Sequence, residues 1–402
     1  MQLIRHSVHA FRAAPAVVAL AAFAADPALG AVLPEDRADV LYHRYDGGGI
    51  TIDGPSVLVR KKIGESVSVS ANYYVDMISS ASIDVQVITG ASRYEEERTQ
   101  KSIGIDFLRG KSTYSMGFVN SEENDYEANS AYFSISQDMF GDLTTITMTY
   151  KRGWDDVFQM ARQENGALLR DPGFAEQIDR RGYGVGLTQI LTRNMILAVN
   201  YEVLTDEGFL NNPYRQVRFL DPDSARGFSL QPEVYPATRT SNAISARLKY
   251  FLPYRAAIEG QYRFFTDTWG IQAHTGEINY THPAWNRWVF DARVRYYRQD
   301  SADFYSDLFP RRDFANFIAR DKELSTFTSY TFGVGASYEF AIPRAPWIQR
   351  STANVRFDHL LIDYEDFRDA RLTDPANGIM PGEEPLYRLN ANVLQVFFSI
   401  WF

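Results

Sequence analysis

The sequence predicts an all-β fold, a transmembrane antiparallel β-barrel of about 16 strands, with about 14 as the alternative. Three observations predict it. Segments of about ten residues alternate between apolar and polar side chains, long connections alternate with short turns, and the chain ends in Phe-Phe-Ser-Ile-Trp-Phe. A water-soluble protein would expose that terminal run as an aggregation-prone edge, so this ending favours the barrel.

The composition narrows the class of protein further. The chain has 402 residues, with 41 Lys and Arg against 50 Asp and Glu, and it has no Cys. A net charge of −9 without basic runs argues against nucleic acid as a partner, because phosphate binding needs clustered Lys and Arg. The lack of Cys excludes disulfide scaffolds, iron–sulfur clusters, Cys-ligated zinc and cysteine nucleophiles. The sequence predicts no cofactor.

The N-terminus has the pattern of a secretory signal peptide. Arg5 and Arg12 precede an Ala-rich apolar stretch at 13–25, and the small-x-small sequence Ala28-Leu29-Gly30 follows it. We expect cleavage after Gly30, and two further positions fit the pattern, Ala24 and Ala31.

These features divide the chain into three parts. Residues 1–30 form the signal peptide, and residues 31–50 form either the first hairpin of the barrel or a segment that enters the lumen. Residues 51–402 form the barrel itself. Export and a barrel fold together predict the bacterial outer membrane.

The strands follow from the alternation of side chains. In residues 67–77, Val, Ala and Met alternate with Ser, Asn and Asp, and residues 238–252 and 287–299 alternate in the same way. Aromatic residues border the apolar faces, as in the girdles of membrane barrels. The predicted strands are 51–62, 65–78, 95–108, 112–120, 127–138, 143–153, 178–190, 195–206, 237–251, 255–266, 270–281, 287–299, 324–341, 349–364 and 387–402. Residues 38–45 pair with 51–62 if the barrel has about 16 strands. The long connections lie near 79–93, 154–178, 207–236, 300–322 and 366–386.

Four stretches carry a resemblance to a known family. They are Leu41-Tyr42-His43-Arg44-Tyr45-Asp46-Gly47-Gly48-Gly49-Ile50, the segments 54–61 and 72–76, and Asn212-Pro213-Tyr214-Arg215-Gln216-Val217-Arg218. The sequence resembles a family of Gram-negative outer-membrane proteins that is catalogued only as a domain of unknown function, over essentially the whole mature chain. The resemblance implies an outer-membrane barrel. It also suggests genes beside a small lipoprotein, a thioredoxin-like protein and a flavin transferase, and hence a role in an envelope redox system.

Charged side chains on the predicted inner face form the candidate site. The lumen and selectivity candidates are Arg247, Lys249, Arg263, Arg293, Arg295, Arg356, Glu259 and Asp291. Such a basic wall attracts anions, as charged rings do in selective pores. The alternative is a ladder of ion pairs that braces the barrel wall. The sequence leaves both interpretations open.

Two further groups of residues are candidates for a role. The connection 207–236 is long enough to fold inward as a constriction, with Tyr214, Arg215 and Arg218 as its candidates. His43 and Asp46 are candidates for a metal site, because His with a nearby carboxylate suits zinc, copper or iron. The alternative for this segment is a Gly-rich hairpin.

No catalytic residue is predicted. Asp358 and His359 are adjacent in one strand, so their side chains point to opposite faces and cannot easily cooperate. We therefore expect a porin-like channel or transport component, with a scaffold for a periplasmic redox or metal-handling partner as the alternative and an enzyme last. The expected partners are outer-membrane lipid and lipopolysaccharide, the barrel-assembly machinery through Phe402, and a periplasmic lipoprotein or thioredoxin-like protein.

Overall fold

A computed structural model of the chain describes residues 31–79, 95–162 and 168–402. These residues form a closed antiparallel barrel of 16 strands. The predicted fold class is confirmed, and the strand number is the larger of the two predicted. The predicted signal peptide at 1–30 lies outside the described residues, as does nearly all of the predicted connection at 79–93.

The barrel strands cover most of the described chain. They are β1 (Arg37–Gly47), β2 (Ile50–Ile63), β3 (Val67–Ser79), β4 (Glu95–Arg109), β5 (Ser112–Glu122), β6 (Tyr126–Met139), β7 (Thr144–Arg162), β8 (Leu168–Thr192), β9 (Met195–Gly208), β12 (Thr238–Phe251), β13 (Ala257–Asp267), β14 (Gln272–Ala284), β15 (Trp288–Gln299), β16 (Phe327–Phe340), β17 (Arg350–Arg368) and β18 (Leu386–Trp401). Between β9 and β12, β10 (Gln216–Leu220) and β11 (Phe228–Pro232) form a separate hairpin.

Helical structure is confined to short turns in the connections. Three 3-10 helices are described, at Lys322–Leu324, Ala370–Leu372 and Pro375–Asn377. Within the described ranges, no helix is long and apolar enough to cross a membrane.

The first strand closes the barrel. β1 pairs with β2 on one side and with β18 on the other, for example Leu41 with Ser56 and Phe397. Of the two forms predicted for residues 31–50, the structure has the first hairpin. The wall begins at Arg37, earlier than the predicted barrel boundary at residue 51. The reason is backbone pairing, because without β1 the edges of β2 and β18 would leave unpaired N–H and C=O groups.

The two ends of the barrel differ. Because successive strands alternate in direction, both described chain ends lie at one end, which we call the terminal end, and the turns at that end have nine residues or fewer. Gly110 and Gly141 form two of these turns with φ of 62° and 67°, a conformation that glycine adopts without steric cost. The connections 209–237, 300–326 and 369–385 lie at the opposite end, the loop end. The predicted asymmetry of the connections is therefore present.

The two faces of the wall differ in the same way along each strand. On β14, β15 and β16, the outward side chains of Ile278, Val294 and Val334 are half exposed or more, with no protein covering them. Their polar neighbours point inward and are partly buried. A belt of exposed apolar side chains around a closed barrel needs an apolar solvent, so the barrel is of the transmembrane class.

One predicted connection is largely strand. Residues 154–162 and 168–178 continue β7 and β8, which pair with each other beyond the neighbouring wall, since β8 pairs with β9 only from Ile178 onward. A register shift between Phe158 and Met160 interrupts the pairing but does not end it. In this stretch Arg152 and Asp156 take the outward face and the apolar Val157 is buried on the inward one, so the apolar–polar alternation ends before the strands do.

Candidate functional site

The predicted lumen residues all lie on the inner face of β12, β13, β15 and β17. Arg247 and Lys249 alternate with the exposed Leu248 and Tyr250, and Arg293 and Arg295 alternate with the exposed Val294. The same alternation places the remaining candidates inside, namely Glu259, Arg263, Asp291 and Arg356. The structure therefore brings together on one inner wall the residues that the sequence singled out.

Two carboxylates on this wall each serve two cations. Glu259 lies 3.7 Å from the guanidinium of Arg247 and 3.9 Å from the ammonium of Lys249. Asp358 lies 2.8 Å from Arg293 and 3.5 Å from Arg356. These contacts form the bracing ladder that was one of the two interpretations. Because each acid is shared, the ladder leaves the wall with more cations than anions.

Arg263 and Arg295 differ from their neighbours on the wall. Neither has an ion pair within 4.0 Å among the residues that the structure describes. The two guanidinium groups are close enough to repel each other, and Tyr297 lies within electrostatic range of both. Glu277 is the register partner of Arg295 across β14 and β15, and it accepts a hydrogen bond of 2.8 Å from Asn279. The six candidate cations lie among four inward acids, Glu259, Glu277, Asp291 and Asp358, so these ten residues sum to 6 − 4 = +2. Arg239 and Asp267 form a further ion pair on this wall, and Glu339 is a further inward acid.

Two glycines make room for this charge cluster. A Cβ at Gly335 would collide with the carboxylate of Asp291, and one at Gly333 would collide with the carboxylate of Asp358. Both glycines lie on the inward face of β16, between the strands that carry these acids. Sequence reasoning missed them, although the Gly-x-Gly spacing on a polar face was a usable signal for close approach of neighbouring side chains.

The candidates of the predicted constriction lie in a packed layer at the loop end. We call the connections 209–237, 300–326 and 369–385 the loop layer. Arg218 is 1% exposed, and its guanidinium binds Asp307 and contacts Glu384 at 2.5 Å. Arg215 forms an ion pair with Asp321, and the Tyr214 hydroxyl accepts a hydrogen bond of 2.7 Å from the Met160 N–H. All three candidates are buried, so they fix the loop layer and do not present charge to a solute.

The loop layer rests on inward-facing side chains from both sides of the barrel. Leu210, Ala319 and Leu324 pack in one cluster with Val157 of β7. Arg320 lies 4.5 Å from the ring of Phe367 on β17. β7 and β17 are eight positions apart in the closed order of 16 strands, which places them on opposite walls. The layer therefore lies in the mouth of the barrel.

The layer contains one carboxyl group with an unusual titration. Glu233 accepts hydrogen bonds from the Tyr235 hydroxyl at 2.6 Å and from the Arg320 N–H at 2.7 Å. Burial raises the pKa of Glu233 to about 7, and the nearby Asp321 carboxylate raises it as well. Arg215 and the two hydrogen bonds lower this pKa but do not cancel the effect of burial.

The metal candidates are not brought together. His43 and Asp46 are three residues apart on β1, so they point to opposite faces of the strand. His43 is buried and its Nε2 lies 2.7 Å from Asp76, whose other oxygen binds Arg98 at 2.6 Å. Asp46 is exposed and lies 3.8 Å from Arg44. Across the described ranges, no group of three or more His, Cys, Asp or Glu could hold a metal ion.

Asp358 and His359 also point to opposite faces, as the sequence predicts. Asp358 is buried against Arg293, and His359 Nδ1 lies 2.8 Å from Asn392 on the outer surface. Sequence reasoning missed the acids that neutralise the loop layer, Asp307 and Glu384. No local pattern marks them, because their partner Arg218 is distant in the sequence.

The chain belongs to a family of barrels without an established role. Residues 84–368 match the family described as "Protein of unknown function (DUF3570)". Of the four stretches that carried the resemblance, only the one at 212–218 lies inside the matched residues. A comparison with curated proteins finds no match.

Several solved structures are similar in fold. A structure titled "Bacterial polysaccharide outer membrane secretin" has a TM-score of 0.48 and 9% identity, and the match covers 92% of this chain and 100% of that one. A Pseudomonas aeruginosa FadL homologue has a TM-score of 0.41 and 10% identity, with 94% and 92% covered. OmpT, an outer membrane protein of Vibrio cholerae, has a TM-score of 0.41 and 7% identity, with 91% and 97% covered. At these levels of similarity they bear on the fold alone.

Proposed function

We propose that this chain is an outer-membrane channel or transport component of the porin-like kind, which passes small polar solutes through an Arg-bearing lumen. The observation that carries the proposal is the inner wall of β12–β17, where Arg263 and Arg295 have no ion pair within 4.0 Å among the described residues. A barrel that served only as an anchor would gain nothing from uncompensated charge on its inner face, because paired charges brace a wall equally well.

The loop layer is part of this proposal. It lies in the mouth and is held by buried ion pairs, of which Arg218 with Asp307 and Glu384 is the centre. We propose that it narrows the passage at the extracellular side, as the sequence led us to expect of the connection 207–236. The terminal end then faces the periplasm, in keeping with the short turns of outer-membrane barrels.

The test is conductance of the purified full-length protein in planar bilayers. We expect conductance above protein-free bilayers for the native chain and higher conductance for Arg218→Ala, which loosens the layer. Arg312→Ala is the matched control, because Arg312 is an exposed loop arginine whose only ion pair among the described residues is with Asp313. If the native chain and Arg218→Ala are both silent although folded, the channel is wrong.

A second candidate function is a scaffold for a periplasmic redox or metal-handling partner. The packed loop layer favours it, since a covered mouth suits an anchor better than an open pore does. Crosslinking in intact cells followed by purification tests this candidate through recovery of a periplasmic lipoprotein or thioredoxin-like protein. A barrel recovered without either would count against it. In both functions we propose that Phe402 is read by the barrel-assembly machinery and that lipopolysaccharide surrounds the loop end.

A further inference from the structure

Two arginines on the inner wall lack the counter-ion that each neighbouring cation has. Arg247, Lys249, Arg293 and Arg356 all contact a carboxylate within 4.0 Å, whereas Arg263 has none among the described residues. Arg295 is in the same position, and its Nε is buried without a hydrogen-bond acceptor in the described part of the chain. A partly buried guanidinium without an acceptor costs free energy unless a ligand supplies one.

The positions of the two side chains suit a shared ligand. Arg263 lies on β13 and Arg295 on β15, on either side of β14. The two guanidinium groups are close enough to repel each other. The guanidinium of Arg263 lies 5.4 Å from the ring of Phe265, a contact that orients it. Between the two arginines, β14 contributes the small polar side chain of Thr275, and β15 contributes Tyr297.

We propose that Arg263 and Arg295 form a binding site on the wall of the lumen for a small oxyanion, namely inorganic phosphate or a carboxylate-bearing solute. This inference rests on the proposed function, because it names the class of solute that the lumen would favour. Planar guanidinium groups bind phosphate and carboxylate through pairs of parallel hydrogen bonds. Two such groups without a carboxylate in ion-pair contact bind an oxyanion more strongly than the ladder residues, whose donors are already shared with Glu259 and Asp358.

Glu277 is one acid that could compete with an oxyanion for the guanidinium groups of this site. It is in register with Arg295, and its interaction with that guanidinium is attractive. It lies beyond ion-pair distance, however, and one of its oxygens accepts the hydrogen bond from Asn279. The two arginines and Glu277 therefore sum to one positive unit. Glu202 of β9 also attracts Arg263, but it lies beyond ion-pair distance and pairs with Lys151 at 3.4 Å.

The test measures binding without relying on conduction. Inorganic phosphate is titrated by calorimetry into the folded full-length barrel in detergent. The variants are Arg263→Gln with Arg295→Gln, and the matched pair Arg247→Gln with Lys249→Gln. Both double variants remove two positive charges from the same wall, and the control pair also leaves Glu259 without its two cations.

We expect phosphate binding to the native barrel, binding weaker by about tenfold or more in the R263Q/R295Q variant, and binding close to native in R247Q/K249Q. Equal losses in the two variants would mean general attraction to a basic wall and would overturn the site, as would absence of binding to the native barrel. The single variants Arg263→Gln and Arg247→Gln keep the test decisive if a double variant does not fold, because only Arg263→Gln should weaken phosphate binding. Silence in bilayers together with phosphate binding would reject the channel and keep the oxyanion site.

Discussion

The loop layer and the inner wall of β12–β17 use arginine in opposite ways. Arg218 in the layer is almost fully buried and has two carboxylate partners, whereas Arg263 on the wall is partly exposed and has none. A buried charge must be paired, because desolvation without a partner costs several kcal/mol. A partly exposed charge loses less free energy without a partner, because water still reaches part of it. The comparison teaches that the number of partners, and not the residue type, separates a structural arginine from one available to a solute.

The largest effect is expected where the layer loses its central cation. Arg218→Ala leaves Glu384 and Asp307 buried without their shared guanidinium, and we expect the layer to lose about 3–5 kcal/mol of stability. Limited proteolysis of the folded barrel measures this as faster cleavage within 300–326 and 369–385. Arg312→Ala should cleave at the native rate, because Arg312 is highly exposed. Equal protection in both variants would mean that Arg218 does not hold the layer.

The next effect is a dependence of the stability of the loop layer on pH. The pKa of Glu233 is raised to about 7 in the folded protein from 4.5, so the folded layer binds this proton more tightly than the unfolded chain does. The stabilisation is complete below pH 4.5 and is lost as the pH rises through 7, with up to about 3 kcal/mol at stake. We therefore expect the ratio of the native cleavage rate to that of Glu233→Gln to be lower at pH 5 than at pH 8. A ratio that does not change with pH would contradict the assignment. The facing groups Asp321, Arg215 and Tyr235 remain in both proteins.

A smaller effect is expected at the glycines on the inward face of β16. Gly335→Ala places a Cβ against the carboxylate of Asp291, and overpacking of this kind costs about 1–3 kcal/mol. Denaturant unfolding of the barrel should show a lower midpoint. Gly276→Ala is the control, because a Cβ at that position on the outward face of β14 meets no atom within 4 Å. If both variants unfold at the same midpoint, Gly335 is not needed to seat Asp291.

The smallest expected effect concerns the ladder itself. Asp358→Asn removes the acid shared by Arg293 and Arg356 and adds free positive charge to the lumen. In a salt gradient across a bilayer, the reversal potential should move toward the equilibrium potential of the anion. The expected change in the ratio of anion to cation permeability is about twofold. Asp363→Asn, on the outer face of the same strand beside Arg388, should leave the potential unchanged. A shift of equal size in both variants would show that the ladder does not set the charge of the passage.

The fold was largely open to prediction from the sequence. The alternation in 287–299 placed Arg293 and Arg295 on the inner face and Val294 on the outer, because strand side chains have a period of two regardless of what surrounds them. Where charged residues take the outward face, as Arg152 and Asp156 do, the predicted strand ended too early. The same period argues against a joint site for His43 and Asp46, three residues apart, once residues 37–47 are known to be strand.

The sequence by itself determined which residues face the lumen, because apolar and polar side chains alternate between the two faces of each barrel strand. Only the tertiary structure decided which of those charges are neutralised. Arg218 meets Glu384 across 166 residues, and Arg293 meets Asp358 across 65. Arg263 and Arg295 stand apart because no carboxylate of the described residues comes within ion-pair distance of them, although Glu202 and Glu277 attract them from further away. Pairing of this kind depends on strand register, barrel closure and the path of long loops, and none of these is encoded within a short stretch of chain.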